Sequence, residues 1–147
     1  VLHHPYEQAV HVIKRLGMGQ VEVEEQFRRA VFNIMARNQD DHVKNIAFLM
    51  DRSGQWSLSP AFDVSCAWNP GGEWTGRHQM SLNGKRDHFT REDILSFASN
   101  SGIKRAKAME ILADTTAALE QWLALAFEAG VPERRIRSIQ QAFRRDI

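Results

Sequence analysis

Apolar residues recur at helical spacing over residues 22–38, where Val23, Phe27, Val31 and Ile34 form one stripe with Ala30 and Met35 beside it. That spacing predicts a helix with the stripe against a core. From residue 45 the helical period is lost. Residues 46–50 and 55–58 read as two strands of a hairpin, with Trp56 and Leu58 alternating with polar neighbours and the turn-rich "DRSG" at residues 51–54 between them. Pro60 ends the second strand. "NPGGEWTG", residues 69–76, reads as a loop and as the most flexible segment of the chain. Residues 78–82 read as a further short strand, turned by Asn83-Gly84.

The rest is helical by pattern. Thr90 and Asp93 resemble a capping box, with Asp in place of the usual Glu or Gln, and open a helix to about residue 99 that Ser101-Gly102 breaks. A long helix is expected over residues 104–129, with Met109, Leu112, Thr116, Leu119, Leu123 and Ala126 along one face. Gly130 caps it, and Pro132 starts a final helix to about residue 145. His3 and His4 carry no signal. The expected fold class is α+β, mainly helical, in a single domain over residues 1–147.

Composition agrees with one ordinary globular domain: 147 residues, of which 43% are hydrophobic, suffice for a core. A net charge of +1 neither demands nor excludes a nucleic-acid partner. The single cysteine, Cys66, excludes an internal disulfide, fits a reducing cytoplasm, and reads as a buried structural thiol. No apolar run approaches the roughly 18 residues of a membrane span, and no signal peptide opens the chain, so no membrane partner is expected. The first residue is Val1, so the chain is expected to be processed or cut from something longer. Trp56, Trp68, Trp74 and Trp122 read as packing residues. The arginines of residues 134–145 read as a solvated helix face, with a DNA or partner surface as the other reading.

The chemistry concentrates in "NQDDHVKN", residues 38–45, and in Asp63. A hairpin brings its outer ends together, so Asn45 and Asp63 are expected to be neighbours, with Asp40 in the loop entering the same end. Three oxygen-bearing side chains at one rim suit a hard divalent cation, Mg²⁺ or Mn²⁺, better than Zn²⁺. Asp41 reads as a solvated neighbour. In phosphoryl transfer one Asp orients the acceptor hydroxyl, while an Asn five residues on and a second Asp hold the metal that clamps the phosphates. Asp40, Asn45 and Asp63 stand in that order and spacing.

The segment "NQDDHVKNIAFLMDRSGQWSLSPAFDVS", residues 38–65, resembles the C-terminal catalytic segment of the HipA family of bacterial serine/threonine protein kinases, the toxins of toxin–antitoxin pairs. The resemblance implies the larger, C-terminal lobe of a protein-kinase-like fold, with ATP and Mg²⁺ as cofactors. Carried over by position, Asp40 is the catalytic Asp and Asn45 and Asp63 are Mg²⁺ ligands. His42 supports the loop, and Lys44 approaches the transferred phosphate. The family also implies a cytoplasmic toxin, a DNA-binding antitoxin partner through which alone DNA is met, and a protein acceptor, commonly an aminoacyl-tRNA synthetase. No Gly-rich phosphate loop precedes the segment, and "RLGMGQ", residues 15–20, is not one. The chain is thus expected to be the C-terminal lobe alone and inactive by itself. Two alternatives stay open: a small-molecule phosphotransferase fragment, and a non-catalytic lobe that binds a partner or DNA.

Overall fold

The stripe around Phe27 lies at the centre of the computed structural model, which describes residues 4–147. Helix α2 (Gln20–Met35) buries Val23, Gln26, Phe27, Ala30, Val31, Ile34 and Met35. It starts earlier than the spacing predicts, because Gly19 N donates to Glu22 Oε2 at 3.0 Å and closes the first turn. It stops at Met35 and not at residue 38, because Arg37 turns to a left-handed φ of 58°, which a helix cannot continue. Helices α1 (Tyr6–Arg15), α3 (Arg91–Ser101) and α4 (Arg105–Glu120) pack around α2. The sequence reading assigned no element to the first of these. Its buried Tyr6, Ala9, Val10 and Ile13 nevertheless fall at helical spacing. Val1 and His3 lie outside the described residues.

Helix α3 opens on the expected capping box: Asp93 N donates to Thr90 Oγ1 at 3.3 Å, and Thr90 N donates to Asp93 Oδ2 at 2.8 Å. Gly102 ends it at a φ of 81°. The same carboxylate accepts from Lys85 Nζ and from Asn83 Nδ2, each at 2.8 Å. Asn83 and Gly84 both have positive φ, so the turn that presents Lys85 follows from the Asn-Gly pair. Burial raises the Asp93 pKa, but Lys85, Asn83 and Thr90 outweigh it and hold the carboxyl at about 2, against 3.8 ordinarily. A depressed carboxylate stabilises the fold above the unfolded pKa and loses that contribution as pH falls through the folded value. Urea melts should therefore show about 2 kcal/mol of stability lost between roughly pH 4 and pH 2 from this group, and Asp93→Asn should lack that part of the acid slope. An unchanged slope would refute the assignment.

The long helix expected over residues 104–129 is two helices. Helix α4 ends at Glu120, and α5 (Trp122–Glu128) follows after Gln121. The buried face is also rotated from the expected one: Ala108, Ile111, Leu112, Thr115 and Leu119 are buried, whereas Leu123 is exposed. Small residues at 108 and 115 face the core. Helix α6 (Glu133–Ala142) ends before Arg145, because Phe143 turns extended. Trp122 Nε1 donates to Ile136 O at 3.0 Å and ties α5 to α6.

Strands β1 (Phe48–Met50) and β2 (Trp56–Leu58) pair antiparallel, Phe48 with Leu58 and Met50 with Trp56. Asp51 closes the turn by accepting from Ser53 N, Ser53 Oγ and Gln55 N. The strand expected over residues 78–82 does not form. Its main-chain donors go elsewhere, His78 N to Arg86 O at 3.0 Å and Gln79 N to the Asp41 carboxylate at 2.8 Å. The loop at residues 69–76, expected to be the most flexible, is closed on itself: Asn69 N donates to Thr75 O and Gly76 N to Gly72 O. A Cβ at Gly76 would lie 2.6 Å from Gly72 O, so that closure requires glycine. Six helices and one two-stranded sheet among the described residues make a mainly helical α+β fold. Among those residues no helix is long and apolar enough to cross a membrane.

Candidate functional site

Between α2 and β1 the chain makes a sharp exit from the core. Arg37, in its left-handed turn, donates from Nε to Ala142 O at 2.9 Å and lies over the Trp68 ring at 4.6 Å. Asn38 and Ala67 then run side by side, with Gln39 N donating to Ala67 O and Ala67 N to Arg37 O, each at 3.1 Å. This pairing lays the segment after Asp63 alongside the segment before Asp40. A single 3₁₀ turn, Val43–Asn45, follows and leads into the hairpin.

Asn45 closes that turn, and the strand expected from residue 46 begins only at Phe48. Asn45 Nδ2 donates to Asp40 O at 3.1 Å and to Asp63 Oδ2 at 3.2 Å. Residues 18 apart in sequence are thereby in contact. Asp63 holds a φ of 53°, a conformation that Asp tolerates better than most side chains and that marks backbone set by its surroundings. Among the described residues Asn45 Oδ1 and Asp63 Oδ1 accept no hydrogen bond. The Asp40 carboxylate is exposed, and its Oδ1 lies 3.9 Å from His42 Nε2. His42 Nδ1 is buried without a partner among the described residues. Lys44 is exposed and makes no ion pair among the described residues. A cavity of about 220 Å³ adjoins this rim, lined by Gln26, Phe32 and Asn33 of α2 and by Asn45, Phe62 and Asp63.

Asp41, read from sequence as solvated, is buried at 2% exposure. It accepts from Tyr6 Oη at 2.5 Å, from His78 Nδ1 at 2.8 Å and from Gln79 N at 2.8 Å. Asn33 Nδ2 in turn donates to Tyr6 Oη at 3.1 Å. Burial first, then the Asp41 charge, raises the Tyr6 pKa well above its ordinary value, so the phenol stays a donor. On the far side of His78, Arg144 Nη1 lies 3.0 Å from Nε2. A guanidinium only donates, so Nε2 accepts and the ring proton sits on Nδ1, facing Asp41. The Arg144 side chain is 8% exposed, a correction to its reading as part of a solvated face. Arg134, Arg135 and Arg137 of that tail are exposed, Arg137 paired with Glu133.

Two smaller readings also change. Cys66 is exposed rather than buried, because residues 61–66 cross the surface without apolar cover. What shelter it has raises the thiol pKa, although Arg135 and Arg37 oppose this. Trp74 is 67% exposed at its loop tip and packs in no core.

Among the described residues no group of three or more His, Cys, Asp or Glu side chains is arranged to hold a metal. The Asn45–Asp63 pair is of a different kind, one amide and one carboxylate. That donor set fits Mg²⁺, which keeps several waters and takes one or two carboxylates together with phosphate oxygens. Comparison with known families gives a match of residues 2–123 to the family described as HipA-like C-terminal domain. No curated protein matches the chain.

Proposed function

The chain belongs to the HipA-like C-terminal domain family, and on that premise we propose that it is the catalytic lobe of an ATP- and Mg²⁺-dependent protein serine/threonine kinase. The observation that carries this reading is the contact of Asn45 with Asp63 beside an exposed Asp40 carboxylate. In the proposed reaction Asp40 orients the acceptor hydroxyl and receives its proton. Asn45 and Asp63 offer Oδ1 atoms to the metal. Bound there, Mg²⁺ would neutralise charge on the transferred phosphoryl group. His42, whose Nε2 lies 3.9 Å from Asp40 Oδ1, supports the loop, and the exposed Lys44 meets phosphate. Within this reading the chain is the larger lobe of a kinase-like fold and depends on a second lobe to cover the nucleotide. The family further supports a cytoplasmic bacterial toxin with a DNA-binding antitoxin as partner and a protein acceptor such as an aminoacyl-tRNA synthetase.

The test is Mn²⁺ titration of the chain followed by NMR, since paramagnetic broadening detects weak sites. Amides of residues 40–45 and 63 should broaden, Mg²⁺ should compete, and Asp63→Asn should weaken the effect by at least about tenfold, or about 1.4 kcal/mol. Broadening that is unchanged in Asp63→Asn, or absent from the loop, would overturn the metal assignment. A partner-binding lobe without catalysis is the second reading, favoured by Leu49, Met50 and Trp56, which are large, apolar and exposed on the hairpin.

A further inference from the structure

Arg144 lies beyond the family-matched residues 2–123, in a segment that contributes nothing to the proposed site directly. Its contacts nevertheless converge on the loop that carries Asp40. Nη1 donates to Ile34 O at 2.6 Å and to His78 Nε2 at 3.0 Å. Nη2 donates to Gln39 Oε1 at 3.1 Å and to Asp87 Oδ1 at 2.5 Å. Its backbone N donates to Met35 O at 2.8 Å. One side chain thus grips the C-terminal end of α2, the residue before Asp40, and the histidine that holds the residue after Asp40.

We propose that Arg144 is a positioning residue, acting through Gln39 on one side and through His78 and Asp41 on the other to fix the Asp40–Asn45 loop. The inference rests on the roles given to Asp40 and Asn45 above. Gln39 and Asp41 flank Asp40 and are both buried, at 0% and 2% exposure. Asp40 itself is exposed, and among the described residues its carboxylate makes no hydrogen bond, so these two neighbours and the Asn45 bond to its carbonyl set its placement. Gln39 has no spare freedom: Oε1 also accepts from Arg37 Nη1 at 3.1 Å, and Nε2 donates to Thr75 O at 2.9 Å. Asp41 is held by three donors, and the one on His78 is oriented by Arg144. Phe89 closes the pocket, its ring 5.3 Å from that of His78 and 5.4 Å from the Arg144 guanidinium. Asp87 balances the charge of Arg144 and also lies 3.8 Å from Arg37 Nη1.

The experiment compares amide spectra of the chain with those of Arg144→Met, Arg144→Lys and Ile136→Val. Ile136 is buried on α6 and its main-chain hydrogen bonds run to Pro132 and Trp122, so its truncation serves as the stability control. Arg144→Met should displace the amides of Asp40 to Asn45 and weaken Mn²⁺ broadening there several-fold. Arg144→Lys, which keeps the charge but serves fewer acceptors, should give smaller displacements of the same sign and covers the case in which the Met variant fails to fold. Ile136→Val should lower Tm with those amides unmoved. Side-chain ¹⁵N spectra should report His78 as the neutral tautomer with its proton on Nδ1. Displacements confined to Ile34, Met35, Gln39, His78 and Asp87, or a proton on Nε2, would overturn the proposal. Absent Mn²⁺ broadening in the unaltered chain would instead sink the metal site, while the amide and tautomer readings still decide the role of Arg144.

Discussion

Asp40→Asn is expected to lower the proposed Mg-ATP-dependent phosphoryl transfer by about 10²–10⁴-fold with little change in nucleotide affinity, measured by single-turnover kinetics and nucleotide titration on the protein as its gene encodes it. The substitution keeps the shape of the side chain and removes its charge and its capacity to take a proton. It should not disturb the fold, because the hydrogen bond from Asn45 goes to the Asp40 backbone carbonyl and the carboxylate itself faces solvent. The two readouts separate two roles. A loss confined to turnover is the behaviour of a group that acts on the acceptor hydroxyl. A loss confined to nucleotide affinity would make Asp40 a ligand and remove it from the chemical step.

Its neighbour should behave in the opposite way. Asp41→Ala is expected to cost roughly 3–5 kcal/mol of stability, because it strips a buried carboxylate from two buried donors and a half-buried one at once. Tyr6 Oη, His78 Nδ1 and Gln79 N would all be left facing a void. Against a typical domain stability of about 5–15 kcal/mol, that is a large share of the total. Urea unfolding at pH 7 measures it directly. A loss below about 1 kcal/mol would mean that water enters and replaces the carboxylate, and the description of Asp41 as a structural anchor would fail. Adjacent aspartates, Asp40 and Asp41, should thus divide cleanly between turnover and stability.

That division was not legible in the sequence, and the reason is physical. Asp40, Asn45 and Asp63 are read through spacing: a hairpin of known length returns the chain to its starting edge, so the two ends must meet. The capping box at Thr90, the hairpin and the core stripe of α2 follow from the same local rules. Asp41 has no local partner. Its donors come from Tyr6 and His78, 35 and 37 residues away, and only the packed fold brings them together. Arg144 is a stronger case, since a run of arginines looks solvated until one of them meets carbonyls 110 residues earlier. The long helix was misjudged differently. Its apolar period continues past Gln121, and nothing in the pattern records that the helix breaks there. The buried face runs through Ala108 and Thr115 rather than Met109 and Thr116. The first helix carried a legible stripe at Tyr6, Ala9, Val10 and Ile13 that the reading passed over.

The grip of Arg144 on Gln39 and His78 also sets an order in time. A chain made from its amino end can gather most of the core of α1 to α4 while Arg144 is still unmade, but Phe143 and Ile147, on either side of it, complete that core. The loop at Asp40 gains its far support only once residue 144 has left the ribosome. Core and loop would thus be completed in the same step of synthesis, when residues 143–147 emerge.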